Sequence, residues 1–100
     1  MEHSFFRVSI HPDAIGKLQD YMQFLTRISE NAGARLYFSY TESIDFLTRA
    51  PESCPLYLND PAYRYKLFGK RYRIVFKIVE HTVYVNDIQD CREDIDKSLI

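Results

Sequence analysis

Glycine and long apolar segments are scarce in this sequence, and both scarcities exclude classes of protein. Three glycines among 100 residues are too few for a flexible linker or a glycine-rich repeat array. No apolar run approaches the roughly 20 residues that a membrane-spanning helix needs. Residues 1–7 lack the basic flank and apolar stretch of a secretion signal. We therefore expect a cytoplasmic protein that does not associate with a membrane.

Cysteine and histidine are present, but not in numbers or spacings that define a site. Two cysteines, Cys54 and Cys91, cannot form the disulfide framework of a small secreted domain. A single bridge and two reduced thiols are both compatible with the sequence, and a cytoplasmic location favours the thiols. His3, His11 and His81 lie far apart, without metal-ligand spacing to one another or to either cysteine. Phosphate-binding glycine loops and nucleophile elbows are also missing, so we expect no metal and no cofactor.

Apolar and charged residues are plentiful and unevenly placed. Hydrophobic residues make up 46% of the chain and aromatic residues 15%, which suffices for one domain spanning residues 1–100. The net charge is −1, but residues 61–79 hold no acid and six basic side chains: Arg64, Lys66, Lys70, Arg71, Arg73 and Lys77. Residues 80–100 reverse the balance, with six acids against Arg92 and Lys97. Such clustering indicates either an anionic partner or an ordinary solvated surface.

Hydrophobic periodicity predicts a strand and then two helices in the first half of the chain. Residues 4–10 alternate as a half-buried strand does. Pro12 and Asp13 mark a helix start, because proline needs no N–H partner there and the acid complements the helix dipole. The predicted apolar face of this helix consists of Ile15, Leu18, Met22, Leu25 and Ile28. A second helix follows residues 29–31 and ends before Pro51. Its predicted apolar face consists of Leu36 or Tyr37, Tyr40, Ile44 and Leu47. The short break between the two helices predicts an antiparallel helical hairpin.

The second half of the chain predicts a loop and then three strands. Three prolines and the Asn59-Asp60 pair make residues 51–61 a loop. The predicted strands are residues 63–68, 71–79 and 82–88, with turns at Gly69-Lys70 and Glu80-His81. Residues 89–100 are polar and are expected to form a short helix or a frayed tail. The order predicts an α+β fold, β-α-α-β-β-β, with a twisted, mainly antiparallel sheet and the helical hairpin packed on one face.

Several short motifs of this half occur in an order that is similar to a known family. They are Tyr65-Lys66-Leu67, Arg71-Tyr72-Arg73-Ile74-Val75-Phe76, Val83-Tyr84-Val85 and Ile88-Gln89-Asp90-Cys91-Arg92-Glu93-Asp94. Together with the first strand and the Pro12-Asp13-Ala14 helix start, they resemble the RelE/ParE toxins of type II toxin–antitoxin (plasmid stabilisation) systems, over about residues 5–94. The resemblance implies an antiparallel sheet with a helical hairpin on one side, which agrees with the periodicity.

The resemblance also implies a bacterial growth inhibitor, with its mode of action left open. RelE-like toxins cut mRNA in the ribosomal A site as metal-independent endoribonucleases. ParE-like toxins inhibit DNA gyrase and are not themselves nucleases. A third alternative is a member that has lost toxicity and only binds other proteins. The implied partner is a cognate antitoxin, and the implied target is either the ribosome with its mRNA or DNA gyrase.

Candidate site residues follow from the same resemblance. Lys66 and Arg73 match the basic positions of the RelE sheet face and Arg92 matches the family's C-terminal arginine, so these three are the candidate catalytic residues. Arginine suits charge stabilisation at a scissile phosphate, and lysine can transfer protons if its pKa is near neutrality. Candidate RNA-binding residues are Arg64, Lys70, Arg71 and Lys77. We expect Arg64, Lys66, Arg73 and Lys77 to form one basic surface, unless they are an ordinary solvent face.

The residues after Arg92 depart from the RelE pattern. RelE-like nucleases have a tyrosine or histidine beyond that arginine, for stacking or proton transfer, and residues 93–100 contain neither. The acids Glu93, Asp94 and Asp96 would repel RNA phosphates. A pI of about 6.3 is also low for a protein that enters a ribosome. These departures favour the gyrase inhibitor, whereas the basic positions favour the nuclease.

Overall fold

Two long helices and four strands follow one another in the predicted order. The structure is a computed structural model that describes residues 5–92. Its elements are β1 (Arg7–Ile10), α1 (Pro12–Ile28), α2 (Ala32–Leu47), a short 3-10 helix (Pro51–Ser53), β2 (Arg64–Phe68), β3 (Tyr72–Val79) and β4 (Thr82–Asp90). The predicted α+β class and element order are confirmed. The prediction for the end of the chain lies mostly outside the described residues, although β4 extends through residues 89 and 90.

Helix α1 begins where Pro12 predicts, and its buried face differs slightly from the predicted one. The His11 side chain caps the helix, since its Nδ1 accepts a hydrogen bond from the Asp13 backbone N–H at 3.0 Å. The side chains that α1 contributes to the core are Ala14, Leu18, Tyr21, Met22 and Leu25. Ile15 and Ile28 are instead 39% and 67% exposed, because the residues that face the sheet start at position 14 rather than 15. Within residues 5–92 no helix is long and apolar enough to cross a membrane.

The four strands form one mixed sheet in the order β1-β4-β3-β2. Strand β1 pairs parallel with β4. This pairing is possible because the helical hairpin follows β1 in the chain and crosses one face of the sheet before β2, β3 and β4. The other neighbouring strands pair antiparallel. Helix α1 packs against β4 and α2 against β2. The largest fully buried side chains are Phe76, Leu47, Ile74, Ile88, Val83, Val85 and Pro51.

An irregularity between β3 and β4 determines which β4 side chains face away from the helices. Val75 pairs with Asp87, whereas the next β3 residue pairs with Val85, so Asn86 is an extra residue in the ladder. Strict alternation from the buried Val85 would place Asp87 in the core and Ile88 outside. With the extra residue, Ile88 is fully buried and Asp87 lies on the face away from the helices, which we call the open face.

The predicted loop before β2 folds back along that strand. Leu56 forms an isolated bridge with Arg64, and the Tyr57 N–H donates to the Tyr63 carbonyl oxygen at 2.8 Å. This pairing brings the Tyr57 ring to the open face, where the Arg73 guanidinium carbon lies 5.1 Å from the ring centroid.

Two helical glycines provide a matched test of the packing between α1 and α2. A Cβ at Gly33 would lie 2.9 Å from the Met22 backbone oxygen and would collide with the Thr26 side chain, whereas nothing lies within 4 Å of a Cβ at Gly16. Alanine otherwise favours a helix over glycine by about 0.5–1 kcal/mol. We expect Gly16→Ala to raise the free energy of unfolding in urea by that amount, and Gly33→Ala to lower it by about 1–3 kcal/mol. Stabilisation by both changes would contradict the close approach of the two helices.

Candidate functional site

The register of the sheet divides the predicted basic residues between its two faces. Lys66 pairs with Ile74 and Arg64 with Phe76, both of which are fully buried against the helices. Directly paired residues project from the same face of a sheet. The side chains of Arg64 and Lys66 therefore project from the face that packs against the helices. Arg73 alternates with Ile74 along β3, so its side chain projects from the open face. Lys77, further along the same strand, projects from the open face as well. The expectation of a single basic surface is therefore wrong.

The two cations on the helix side contact α2 and the loop before β2. Arg64 Nη1 donates to the Cys54 carbonyl oxygen at 2.6 Å. Lys66 Nζ lies 5.0 Å from the centroid of the Phe46 ring and donates to the Leu67 carbonyl oxygen at 3.3 Å. Cys54 itself is a buried free thiol, and its burial raises its pKa. These contacts connect β2, which lies at one edge of the sheet, to α2 and to the loop before β2.

Three further predicted residues lie together at one end of the sheet: Lys70, Arg71 and Arg92. The Cys91 N–H donates to the Arg71 carbonyl oxygen at 2.7 Å, which brings the start of β3 beside the end of β4. The Arg71 guanidinium lies over the Tyr72 ring at 5.4 Å from its centroid. Arg92 Nη2 lies 3.5 Å from the Asp90 carboxylate, in an ion pair whose arginine is largely exposed. Lys70 and Arg71 also line a cleft with Leu25 of α1 and Leu36 of α2, so the positive charge at this end of the sheet lies beside the helical hairpin.

A hydrogen-bonded network lies on the open face around Arg73. Arg73 Nε donates to Gln89 Oε1 at 2.7 Å. Gln89 Nε2 lies within hydrogen-bonding distance of the Tyr57 hydroxyl oxygen, at 3.3 Å, and of Asp87 Oδ2, at 3.0 Å. Asn59 Nδ2 donates to the same tyrosine oxygen at 3.2 Å. Arg73 is therefore held between a phenol and an amide while remaining partly exposed. We call these five residues the open-face network.

Tyr57 has a pKa below that of an ordinary tyrosine. Burial by itself raises the pKa of the phenol, but hydrogen bonds from Gln89, Arg73 and Asn59 and the positive charge of Arg73 together lower it further than burial raises it. Each of these groups stabilises the phenolate more than the phenol. The ring is therefore a better proton donor than a solvent-exposed tyrosine.

Asp87 connects the open-face network to helix α1. Its Oδ1 accepts a hydrogen bond from Lys17 Nζ at 2.8 Å. Burial raises the pKa of the Asp87 carboxyl, but the hydrogen bonds from Lys17 and Gln89, the charge of Lys17 and the Ile88 N–H lower it below its usual range. The carboxylate therefore stays charged and holds Gln89 in position.

The lowered pKa of Asp87 predicts a pH dependence of stability. Because the folded state binds this proton less readily than the unfolded state, the carboxylate stabilises the fold above the usual pKa of about 4, and the contribution is lost as the pH falls through the folded value. We expect the difference in unfolding free energy between the wild type and Asp87→Asn to shrink between pH 7 and pH 2.5 in urea titrations. Lys17→Met should reduce the same difference, and a difference that is constant with pH would contradict the assignment.

A cleft of about 230 Å³ also lies on the open face. Two tyrosines line it, Tyr63 and Tyr84, and the latter is 42% exposed. Lys77 Nζ lies 5.8 Å from the centroid of the Tyr63 ring. An aromatic ring beside a cation suits an unstacked nucleobase and its phosphate, as in proteins that bind single-stranded RNA.

The sequence does not single out Tyr57, Gln89 or Asp87 as site residues. Tyr57 belongs to a segment that the prolines identify only as a loop, and loop residues are often functional. Gln89 and Asp87 reach the open face only because of the irregularity at Asn86, for which the sequence gives no local signal.

No protein-family model and no curated protein matches this chain. Its function must therefore be argued from the residues and their geometry.

Proposed function

We propose that this protein is the toxin of a type II toxin–antitoxin module, and that it arrests growth in the cytoplasm by ribosome-dependent cleavage of mRNA. The observation that carries the proposal is the open-face network, in which an arginine, a phenol of lowered pKa and an amide lie within hydrogen-bonding distance. Cleavage of RNA without a metal needs a cation at the scissile phosphate and a group that transfers a proton. Both kinds of group are present on one exposed sheet face.

Arg73 is the residue that we assign to the scissile phosphate. Its guanidinium is always charged, offers a planar fork of donors and is partly exposed, and its Nε donates to Gln89 Oε1 at 2.7 Å. A planar cation of this kind matches the two non-bridging oxygens that carry the negative charge of the transition state. The tyrosines and Lys77 of the neighbouring cleft would hold the flanking nucleotide.

The other predicted residues take supporting roles in this proposal. Lys70, Arg71 and Arg92, at the end of the sheet, would contact RNA phosphates beyond the cleavage position. Arg64 and Lys66 project from the helix side, where they contact the Cys54 carbonyl oxygen and the Phe46 ring. The proposed chemistry therefore lies in the open-face network rather than at Lys66.

The helical hairpin offers the surface that an antitoxin would cover. Four large apolar side chains on α1 and α2 are 50–67% exposed: Phe24, Ile28, Tyr37 and Phe38. Such residues at helical spacing suit the apolar face of a partner helix. An acidic partner segment would also neutralise the positive end of the sheet.

Inhibition of DNA gyrase is the second candidate function. It is favoured by the acids beyond Arg92 and by the carboxylate of Asp87, which lies within the open-face network and would repel an RNA phosphate. In this alternative the open face would bind a protein surface rather than RNA.

Expression of the chain from a tight promoter, without an antitoxin, separates these functions. We expect growth arrest and new mRNA 5′ ends at codons in the ribosomal A site, detected by primer extension. Stalled gyrase–DNA complexes and a DNA-damage response with intact mRNA would instead support the second candidate. Normal growth with the folded protein present would contradict both and would favour a non-toxic binding protein.

A further inference from the structure

We propose that the cleft lined by Tyr63 and Tyr84 binds one adenine nucleotide, and that the amide of Asn86 distinguishes adenine from the other bases. The inference rests on the proposed function in one respect, because mRNA is the source that it assigns to the nucleotide. Asn86 is singled out by neither the sequence pattern nor the family resemblance.

Four side chains form a row across the open face of the sheet. Tyr84 of β4 pairs directly with Ser9 of β1 on one side and with Lys77 of β3 on the other. Lys77 Nζ lies 5.8 Å from the centroid of the Tyr63 ring, which comes just before β2. Directly paired residues project from the same face, so Lys77 lies between two phenol rings. The cleft therefore presents an aromatic ring on each side of a positive charge.

The irregularity of β4 leaves space beside Asn86. As the extra residue of the ladder, Asn86 has no directly paired residue in β3. Strand β1 ends at Ile10, which pairs with Val85, so within the described chain Asn86 has no β1 partner either. The Asn86 side chain is exposed, lines the cleft and forms no hydrogen bond with any of residues 5–92. Its amide is therefore available to a ligand that lies on the neighbouring rings.

The size and charge of the cleft suit a single nucleotide. Its volume of about 230 Å³ is below the roughly 300–1,000 Å³ that is usual for sites of larger ligands. The residues that line it include Lys77 and no acid. The nearby Asp87 carboxylate is paired with Lys17 at 2.8 Å, so its charge is compensated. Proteins that bind single-stranded RNA stack bases on aromatic rings and place cations at phosphates, so a base on the Tyr84 ring with its phosphate at Lys77 fits this arrangement.

The Asn86 amide selects adenine through the donors and acceptors on the edge of the base. An asparagine side chain presents an N–H donor and an oxygen acceptor side by side. Adenine offers the complementary pair, an N7 acceptor and an N6 amino donor, whereas guanine has two acceptors there, N7 and O6. The pyrimidines have no N7. A two-point contact of this kind favours the correct base by about tenfold or more.

The cleft lies on the same face as Arg73, along the same strand. Arg73 and Lys77 are four residues apart on β3 and project from the open face, which separates them by roughly 13 Å. An RNA strand that passes Arg73 would reach the cleft a short distance further along. Asn86 would then make cleavage depend on an adenine near the scissile bond, without taking part in the chemical step.

The first test measures binding and needs no cleavage. Fluorescence anisotropy gives the dissociation constants of the wild-type protein for short single-stranded RNAs that hold one variable base in a run of uridines. We expect adenine at this position to bind about tenfold more tightly than guanine or uracil. A 7-deazaadenine, which has a C–H group in place of N7, should lose most of this preference. Asn86→Ala should bind all four bases equally, and the deaza base should make no further difference to it.

Three further variants separate the base contact from stacking and charge. Asn31→Ala makes the same change at the N-cap of α2, where the side chain forms no capping hydrogen bond, and should leave every affinity unchanged. Tyr84→Ala should weaken the binding of every RNA by about tenfold, whereas Tyr84→Phe keeps the ring and should not. Lys77→Met should also weaken every RNA, and should lower the slope of the salt dependence by about one.

Free 5′-AMP distinguishes the two sources of an adenine nucleotide. We expect the RNA to bind at least about tenfold more tightly than 5′-AMP, because its further phosphates add contacts with basic residues. Equal affinity for 5′-AMP would assign the cleft to a free nucleotide and would overturn its role in reading mRNA.

Cleavage in programmed ribosomes separates this inference from the proposed function. Wild-type protein should cut an mRNA with adenine in the A-site codon about tenfold faster than the matched 7-deazaadenine mRNA, and Asn86→Ala should cut both equally. A wild-type protein that binds adenine RNA selectively and cuts no mRNA would support the adenine site and overturn the nuclease function. A wild-type protein that cuts mRNA but binds all bases equally, or prefers guanine, would overturn the role of Asn86 alone.

Discussion

Arg73→Ala is expected to abolish growth arrest and to lower the rate of mRNA cleavage in programmed ribosomes by about 100- to 1,000-fold. Arg73 is the arginine that projects into the open-face network, where it contacts both Gln89 and Tyr57. Its removal takes away the charge that would stabilise the transition state and the group that holds the phenol and the amide together. Colony counts after induction measure the first effect, and single-turnover cleavage measures the second.

Two variants control for charge and for folding. Arg49→Ala removes an exposed arginine that forms an ion pair with Asp45 at 2.9 Å, next to α2, and should leave toxicity unchanged. Arg73→Lys keeps the positive charge without the planar fork and should fall between the wild type and Arg73→Ala. If the Arg73→Ala protein has the thermal stability of the wild type and is equally toxic, the assignment of Arg73 is contradicted.

The fold can be predicted from the sequence because the residues that start and end its helices and turns act locally. Pro12 and Asp13 start α1 through the chemistry of the first helical turn, and Pro51 follows the end of α2 because proline cannot continue a helix. The turns at residues 69–70 and 80–81 lie where small or polar pairs interrupt the alternating strands, and Gly69, Lys70 and Glu80 have positive φ angles. Each of these features is decided within a few residues of chain.

The candidate site is harder to predict from the sequence, because its geometry depends on pairings between residues that are distant along the chain. Strand alternation correctly places Arg64 with Lys66 and Arg73 with Lys77, but only the β2–β3 register shows that the two pairs project from opposite faces. The extra residue Asn86 changes the faces of all later β4 residues, and it becomes visible only when β4 is aligned with β3. Register and bulges are set by the whole hydrophobic core, so a pattern read along one strand cannot supply them.

Phe76→Ala is expected to cause the largest loss of stability, about 3–5 kcal/mol of unfolding free energy. Phe76 is fully buried at the centre of the sheet, where it pairs with Val85 across β4 and with Arg64 across β2. Removing its ring would leave a cavity between the sheet and the hairpin that rigid neighbours cannot fill. Since domains of this size have a total stability of about 5–15 kcal/mol, the variant should be close to unfolding at 37 °C. Urea denaturation followed by circular dichroism measures the change.

Phe24→Ala makes the same chemical change at a surface position and serves as the control. Phe24 lies on α1 with 51% of its area exposed, so its loss should cost less than about 1 kcal/mol. The contrast also bears on the site, because Phe76 adjoins the irregularity that turns Asp87 and Gln89 towards Arg73. Partial loss of the core should therefore weaken the open-face network before the chain unfolds completely. Similar stability losses for the two phenylalanines would contradict the core that the fold assigns.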